Sequence, residues 1–170
     1  MVSCVTLQRP NLGKQKIELT KNNLDQLNGD YDLKSKDNSN YRLPFVLIYY
    51  HCCGYDTIID QGDRVSLQVL TNNRIRITIV DDNEIVRTKI LKGEIKDGYF
   101  EYNSIHLSSF WVLLNAYTRK KMRIGLLPDG SLVVDVARVS WGLLVLMPIT
   151  GYSEKASDIE FSKKDGISQH

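Results

Sequence analysis

Cysteine, histidine and proline are scarce in this chain: three Cys, three His and four Pro among 170 residues. An odd and low cysteine count excludes a miniature fold stapled by disulfides. Cys52 and Cys53 are adjacent, which is neither the CxxC redox spacing nor that of a zinc knuckle, so they read as free thiols packed in an apolar strand. No charge of one sign dominates, because 22 Lys and Arg stand against 20 Asp and Glu. The resulting +2 lacks the clustered excess of a dedicated nucleic-acid binder. No run reaches the ~20 apolar residues that span a bilayer as a helix. The longest, Leu43 to Cys53 and Val139 to Ile149, fall short, and residues 1–30 lack the apolar centre of a signal peptide. Neither a Gly-rich phosphate loop nor a GxSxG or HExxH motif occurs. The expectation is a protein without enzymatic activity, cofactor or metal.

What is present is alternation. Val65, Leu67 and Val69 alternate with Arg64, Ser66 and Gln68; Ile75, Ile77 and Ile79 alternate with Arg74, Arg76 and Thr78. Ile85 to Leu91, Tyr99 to Tyr102, Met122 to Leu126 and Leu132 to Ala137 continue in the same sense, the side-chain period of a β-strand. Turn signals separate them: Thr71 to Arg74, Asp81 to Glu84, Lys96-Asp97-Gly98 and Pro128-Asp129-Gly130. Leu43 to Cys53, rich in β-formers, and Phe110 to Tyr117 read as further strands, Thr118 to Lys121 as a basic turn and Lys34 to Asn40 as an exposed loop. Near the start, Asn22 and Asn23 cap a short turn bearing Leu24 and Leu27, and Gly29 to Leu33 is strand-like. No long amphipathic helix and no repeat is visible. The pattern predicts an all-β fold, an up-and-down antiparallel meander closing into a barrel of eight to ten strands, since closure removes exposed edges. Residues 1–22 are expected to be a flexible arm or tether, 23–163 the barrel and 164–170 a frayed tail.

A short turn followed by Leu27-Asn28-Gly29-Asp30-Tyr31 and a β-meander resembles the opening of the lipocalin and calycin families. Those families carry Gly-x-Trp on the first strand, and Tyr31 stands here where the Trp would be. The resemblance covers residues 23–162 in outline and the Gly29/Tyr31 pair in motif. It implies that Tyr31 plugs one end of the barrel, that Arg138 packs on it, and that the barrel holds a small hydrophobic or amphipathic ligand. Met1-Val2-Ser3-Cys4 is similar to the end of a bacterial lipobox, in which a small residue precedes the acylated Cys. That similarity implies lipid attachment at Cys4, a native chain beginning upstream of Met1, and membrane anchoring in the bacterial cell envelope. An ordinary cytoplasmic N-terminus with an incidental Cys4 is the alternative.

Candidate chemistry is sparse. His51-Cys52-Cys53 is the densest reactive set, but alternation puts His51 and Cys53 on one face and Cys52 on the other, with only His106 and His170 as further imidazoles. Packing explains these residues better than metal binding or nucleophilic catalysis. Asp56, Asp60 and Asp63 lack the spacing of a calcium loop and read as solvated carboxylates. Arg119-Lys120-Lys121 with Arg123, near Trp111 and Tyr117, reads as a charged hairpin turn rather than a nucleic-acid groove. Tyr31, Tyr49, Tyr99, Trp111, Tyr117, Arg138 and Trp141 are the expected ligand-binding residues, offering apolar area with a few polar tips. The other function the sequence allows is a filled barrel acting as a protein-interaction or structural module, with apolar positions near Val139 to Ile149 forming the contact surface.

Overall fold

A computed structural model of the protein describes residues 16–37, 41–48, 62–110, 114–144 and 147–164. A 3-10 turn, Leu24–Leu27, leads into β1 (Gly29–Tyr31), and a short helix α1 (Leu43–Leu47) follows. The meander is β2 (Arg64–Thr71), β3 (Arg74–Asp81), β4 (Glu84–Lys92), β5 (Glu94–Lys96), β6 (Tyr99–Phe110), β7 (Leu114–Leu126), β8 (Leu132–Leu144), β9 (Met147–Phe161) and β10 (Lys163–Lys164). The alternating positions explain the strands. Val65, Leu67, Ile75, Ile77 and Ile79 are buried, while the residues between them are partly or fully exposed. The turn signals hold as well. Asp82 and Asn83 take φ of 47° and 67°, and Asp97 and Gly98 take 52° and 77°, the left-handed pairs that match a hairpin's twist.

All strand pairings are antiparallel and form two five-stranded sheets, β10-β1-β2-β3-β4 and β5-β6-β7-β8-β9. The all-β meander is as expected, but no closed barrel is found among the described residues. The hydrogen-bonded ladder breaks at two bends, where Gly93 separates β4 from β5 and Ser162 separates β9 from β10. At Gly93 the backbone passes so close to β6 that a Cβ would collide with the Glu101 carbonyl oxygen and come within 2.7 Å of the Phe100 ring. Both sheets turn side chains into one core, Leu67, Ile75, Ile77 and Leu91 from the first, Phe100, Met122, Ile124, Val134 and Phe161 from the second.

Three local expectations change. Leu43–Leu47 is helical rather than extended, with Pro44 in its first turn, where the missing N–H costs nothing. Leu43, Val46 and Leu47, spaced for one helical face, and the following Ile48 are fully buried in the shared core. Thr118 to Lys121 is not a turn but mid-strand in β7; Arg119 and Lys121 lie opposite Ile105 and Asn103, and the β6–β7 connection falls after Phe110. The tether also ends earlier than residue 22. Ile17 bridges to Leu126, the Leu19 N–H donates to the Gly98 carbonyl and Leu19 is buried.

Candidate functional site

The second sheet is the longer one, with β6 to β9 of 12 to 15 residues against 8 or 9 in β2 to β4. Its distal half therefore has more strand length than the first sheet can match, and Ala137 and Val139 on its outer face and Thr118 and Lys120 on its core-facing side are buried. Residues directly opposite one another share a face, so the register sorts the side chains into ranks. On the outer face, Leu107, Tyr117 and Trp141 form one rank across β6, β7 and β8. Ile105, Arg119 and Val139 form the next, and Asn103, Lys121, Ala137 and Lys155 the one after. Leu107 is 73% exposed, Ile105 62% and Trp141 44%. The indole of Trp141 lies across Gly151, where a Cβ would come within 3.2 Å of the ring.

On the core-facing side, polar ranks replace the hydrophobic ones in the same distal half. Ser104, Lys120, Arg138 and Glu154 are aligned, followed by His106, Thr118, Ser140 and Tyr152. The Thr118 and Ser140 hydroxyls are 3.0 Å apart, Arg138 Nε donates to Ser140 Oγ at 3.3 Å, and the Tyr152 hydroxyl donates to Glu154 Oε2. Lys120 is fully buried there.

Closer to the sheet's base, the outer face holds a buried charge cluster. Glu101 on β6 accepts from Arg123 Nε at 3.0 Å and pairs with Lys121 Nζ at 2.8 Å. Burial pushes the Glu101 carboxyl up, but the hydrogen bonds from Lys121 and Arg123 outweigh it and hold the group below its ordinary range. Asp135, opposite Arg123 on β8, accepts from the Asp158 backbone N–H at 2.8 Å, while its Oδ2 has no hydrogen-bond partner. Burial dominates there and raises its pKa. Lys16 closes the cluster, donating to Asp158 at 2.8 Å and to the Tyr99 hydroxyl at 3.1 Å. Lys16 Nζ and the Arg123 guanidinium both lie over the Tyr99 ring, at 5.3 and 5.8 Å.

The residues expected to bind a ligand are thus dispersed. Tyr31 is fully buried beside the 3-10 turn, its hydroxyl donating to the Leu27 carbonyl. The cation over its ring is Lys163 of β10, while Arg138 binds Ser140. Tyr99 belongs to the charge cluster, and Tyr117 and Trp141 lie together on the outer face. Tyr49, Trp111 and Cys4 lie outside the described residues, as do His51, Cys52, Cys53, Asp56 and Asp60. Among the described residues, no group of three or more His, Cys, Asp or Glu is arranged to hold a metal ion. Among them are surface grooves of about 670 and 430 Å3. Both run along Lys36 and charged loop residues such as Asp129 and Asp63, away from the aromatic positions. The Glu101 cluster was not anticipated, because its members are 22 residues apart and meet only through strand register. Comparison with protein-family models, curated proteins and solved structures gives no match to this chain.

Proposed function

We propose that this protein is a non-enzymatic, filled, lipocalin-like β-structure that acts as an interaction module through the distal outer face of β6 to β9. The observation that carries the reading is the exposure of Ile105 and Leu107 on β6 and of Trp141 on β8, on one face of the sheet with half-buried Tyr117 and Arg119 of β7 between them. A contiguous exposed apolar patch usually marks a site of contact. The interior supports it too, because α1 and the 3-10 turn place Leu43, Val46, Leu47, Leu24 and Leu27 between the sheets, where a ligand would otherwise lie. In this reading the sheets are the two halves of one flattened barrel. Each bend is a single residue, and β10 lies against β1, so the strand sequence returns to its start. The Gly29/Tyr31 pair and the cation over Tyr31 fit that resemblance. An envelope setting with Cys4 acylated also fits, supported by the Val2-Ser3-Cys4 sequence.

Size-exclusion chromatography with light scattering, joined to calorimetric titration with a fatty acid, tests this reading. The interaction module predicts no saturable one-to-one uptake. A second reading, a small amphipathic ligand in the barrel mouth, is favoured by Thr118, Lys120, Arg138 and Ser140 on the core-facing side. Saturable fatty-acid binding that Arg138→Ala weakens would favour that reading instead.

A further inference from the structure

The bend at Gly93 leaves part of β6 without a neighbour. β5 covers the edge of β6 only from Tyr99 to Glu101, because on the far side of Gly93 the chain belongs to β4 of the other sheet. Among the described residues, Asn103 to Leu107 pair with β7 alone. Such an edge presents backbone N–H and C=O groups to any strand that can lie against it, and proteins guard it with charge, proline, bulges or short length. Among the described residues the other sheet edges are guarded. β4 carries Glu84, Arg87, Lys89 and Lys92, and β10 is only the pair Lys163–Lys164. β9 carries Glu154, Lys155 and Asp158 and shifts register twice against β8. β6 has none of these devices. Residues 102–110 contain no Asp, Glu, Lys, Arg or Pro and pair with β7 in unbroken register. Ile105, His106 and Leu107 are exposed in succession, so the strand is bare on both faces there.

We propose that this edge of β6 pairs with the same edge of a second copy of the chain, antiparallel about a two-fold axis at His106, so that two sheets run on as one. The proposal rests on the interaction-module reading and names its partner. The absence of charge selects a copy over a foreign strand. Across a two-fold axis the residues nearest the axis meet their own kind, and like charges directly opposite repel. A strand from another protein sets no such condition and would be recognised by complementary charge. An axis at His106 sets Ile105 of each copy against Leu107 of the other and covers both side chains. An axis one residue earlier would set Leu107 against Asn103 instead. The edge and the outer face form one surface, since Ile105 and Leu107 lie opposite Arg119 and Tyr117. The stretch Asn103 to Leu107 is far shorter than the ~20–30 residues a side of a standard interface, so the dimer forms and disperses with concentration.

Sedimentation velocity of the full chain over a range of concentrations, with His106→Lys and His106→Glu alone and mixed, tests it. The unaltered chain should show a monomer–dimer equilibrium. Each variant alone should weaken dimerisation by roughly five-fold, since like charges then meet across the axis. An equimolar mixture of the two should restore it. Ile90→Asp, an exposed position on β4, should leave dimerisation unchanged. Circular dichroism on each variant confirms that the fold is kept. A monomer at every concentration, a dimer that both His106 variants leave intact, or a mixture as weak as its components would overturn the proposal. Leu107→Asp separates the proposal from the reading beneath it. A dimer that Leu107→Asp disperses and neither His106 variant does overturns the edge pairing and keeps the outer face as the contact. So does a monomer whose binding of a fluorescent apolar probe is removed by Leu107→Asp. A monomer whose probe binding survives Leu107→Asp removes both.

Discussion

The ammonium of Lys163 stands 5.9 Å from the centre of the Tyr31 ring, on the residue directly opposite it in the β1–β10 pair. First and last strands are joined at this point. Gly29, at φ 149°, leaves the room, because a Cβ there would collide with the Lys163 side chain. The Tyr31 hydroxyl meanwhile satisfies the Leu27 carbonyl at 3.0 Å. Tyr31→Phe should therefore cost about 1 kcal/mol for the lost hydrogen bond, and Tyr31→Ala about 3–5 kcal/mol for the cavity. Denaturant unfolding of both variants measures this. Burial also raises the Tyr31 phenol far above its ordinary pKa. A raised folded-state pKa contributes stability that is complete below the unfolded value of ~10 and is lost as pH rises above it. Tyr31→Phe should remove that alkaline loss.

Glu101 and Asp135, both buried on the same face, should respond to pH in opposite ways. Glu101 is held below its ordinary range, so its contribution is present above the unfolded pKa of ~4.3 and is lost as pH falls. Glu101→Ala leaves Lys121 and Arg123 without their shared carboxylate and should cost about 3 kcal/mol at neutral pH. Asp135 is raised by burial, so the native state favours its protonated form and stability falls as pH rises through its folded pKa. Asp135→Asn keeps an acceptor for the Asp158 N–H and removes the buried charge. It should raise stability at pH 8 and lower it little at pH 4. Thermal melts of both variants across pH check the crossed signs.

Asp129 is held at about 2 by its hydrogen bonds from Lys36 and from the Ser131 backbone. Its contribution is present above the unfolded value of ~3.9 and is lost as pH falls toward 2. The pair is solvent-exposed, so salt should screen it. Lys36→Met should raise the Asp129 pKa toward the unfolded value, as read by NMR titration, with little change in melting temperature.

The bend at Gly93 admits no side chain. Gly93→Ala drives a methyl against the Glu101 carbonyl and the Phe100 ring, contacts that only a shift of β5 relieves. The expected cost is about 1–3 kcal/mol. Hydrogen exchange should localise the loss to the Lys92–Glu94 passage and the facing part of β6.

The strands with one apolar face, Arg64–Thr71 and Arg74–Asp81, were legible because period-two alternation and left-handed turn residues agree. α1 was not, because a buried five-residue helix in an apolar run has no polar face to show its period. Arg119 to Lys121 looked like a turn because charge in a short segment suggests solvent. Its strand partners, Asn103 to Ile105 on β6 and Ala137 to Val139 on β8, are distant in sequence and meet it only through register. The bends at Gly93 and Ser162 are single residues whose effect appears only in the strand pairing. Of the candidate aromatics, Tyr117 and Trp141 do meet on one surface, whereas Tyr31 and Tyr99 serve the interior and the charge cluster. Sequence names an aromatic but not the face that its register assigns.

Under the proposed function, the protein works through the distal outer face of β6 to β9 and not through an internal cavity. Titration with a fluorescent apolar probe, comparing the unaltered chain with Leu107→Asp and with Ser140→Leu, tests it most directly. The two substitutions fall on opposite faces of the same sheet. The account predicts weak, multi-site probe binding that Leu107→Asp removes and Ser140→Leu leaves unchanged. Tight one-to-one binding that survives Leu107→Asp and is lost in Ser140→Leu would contradict it.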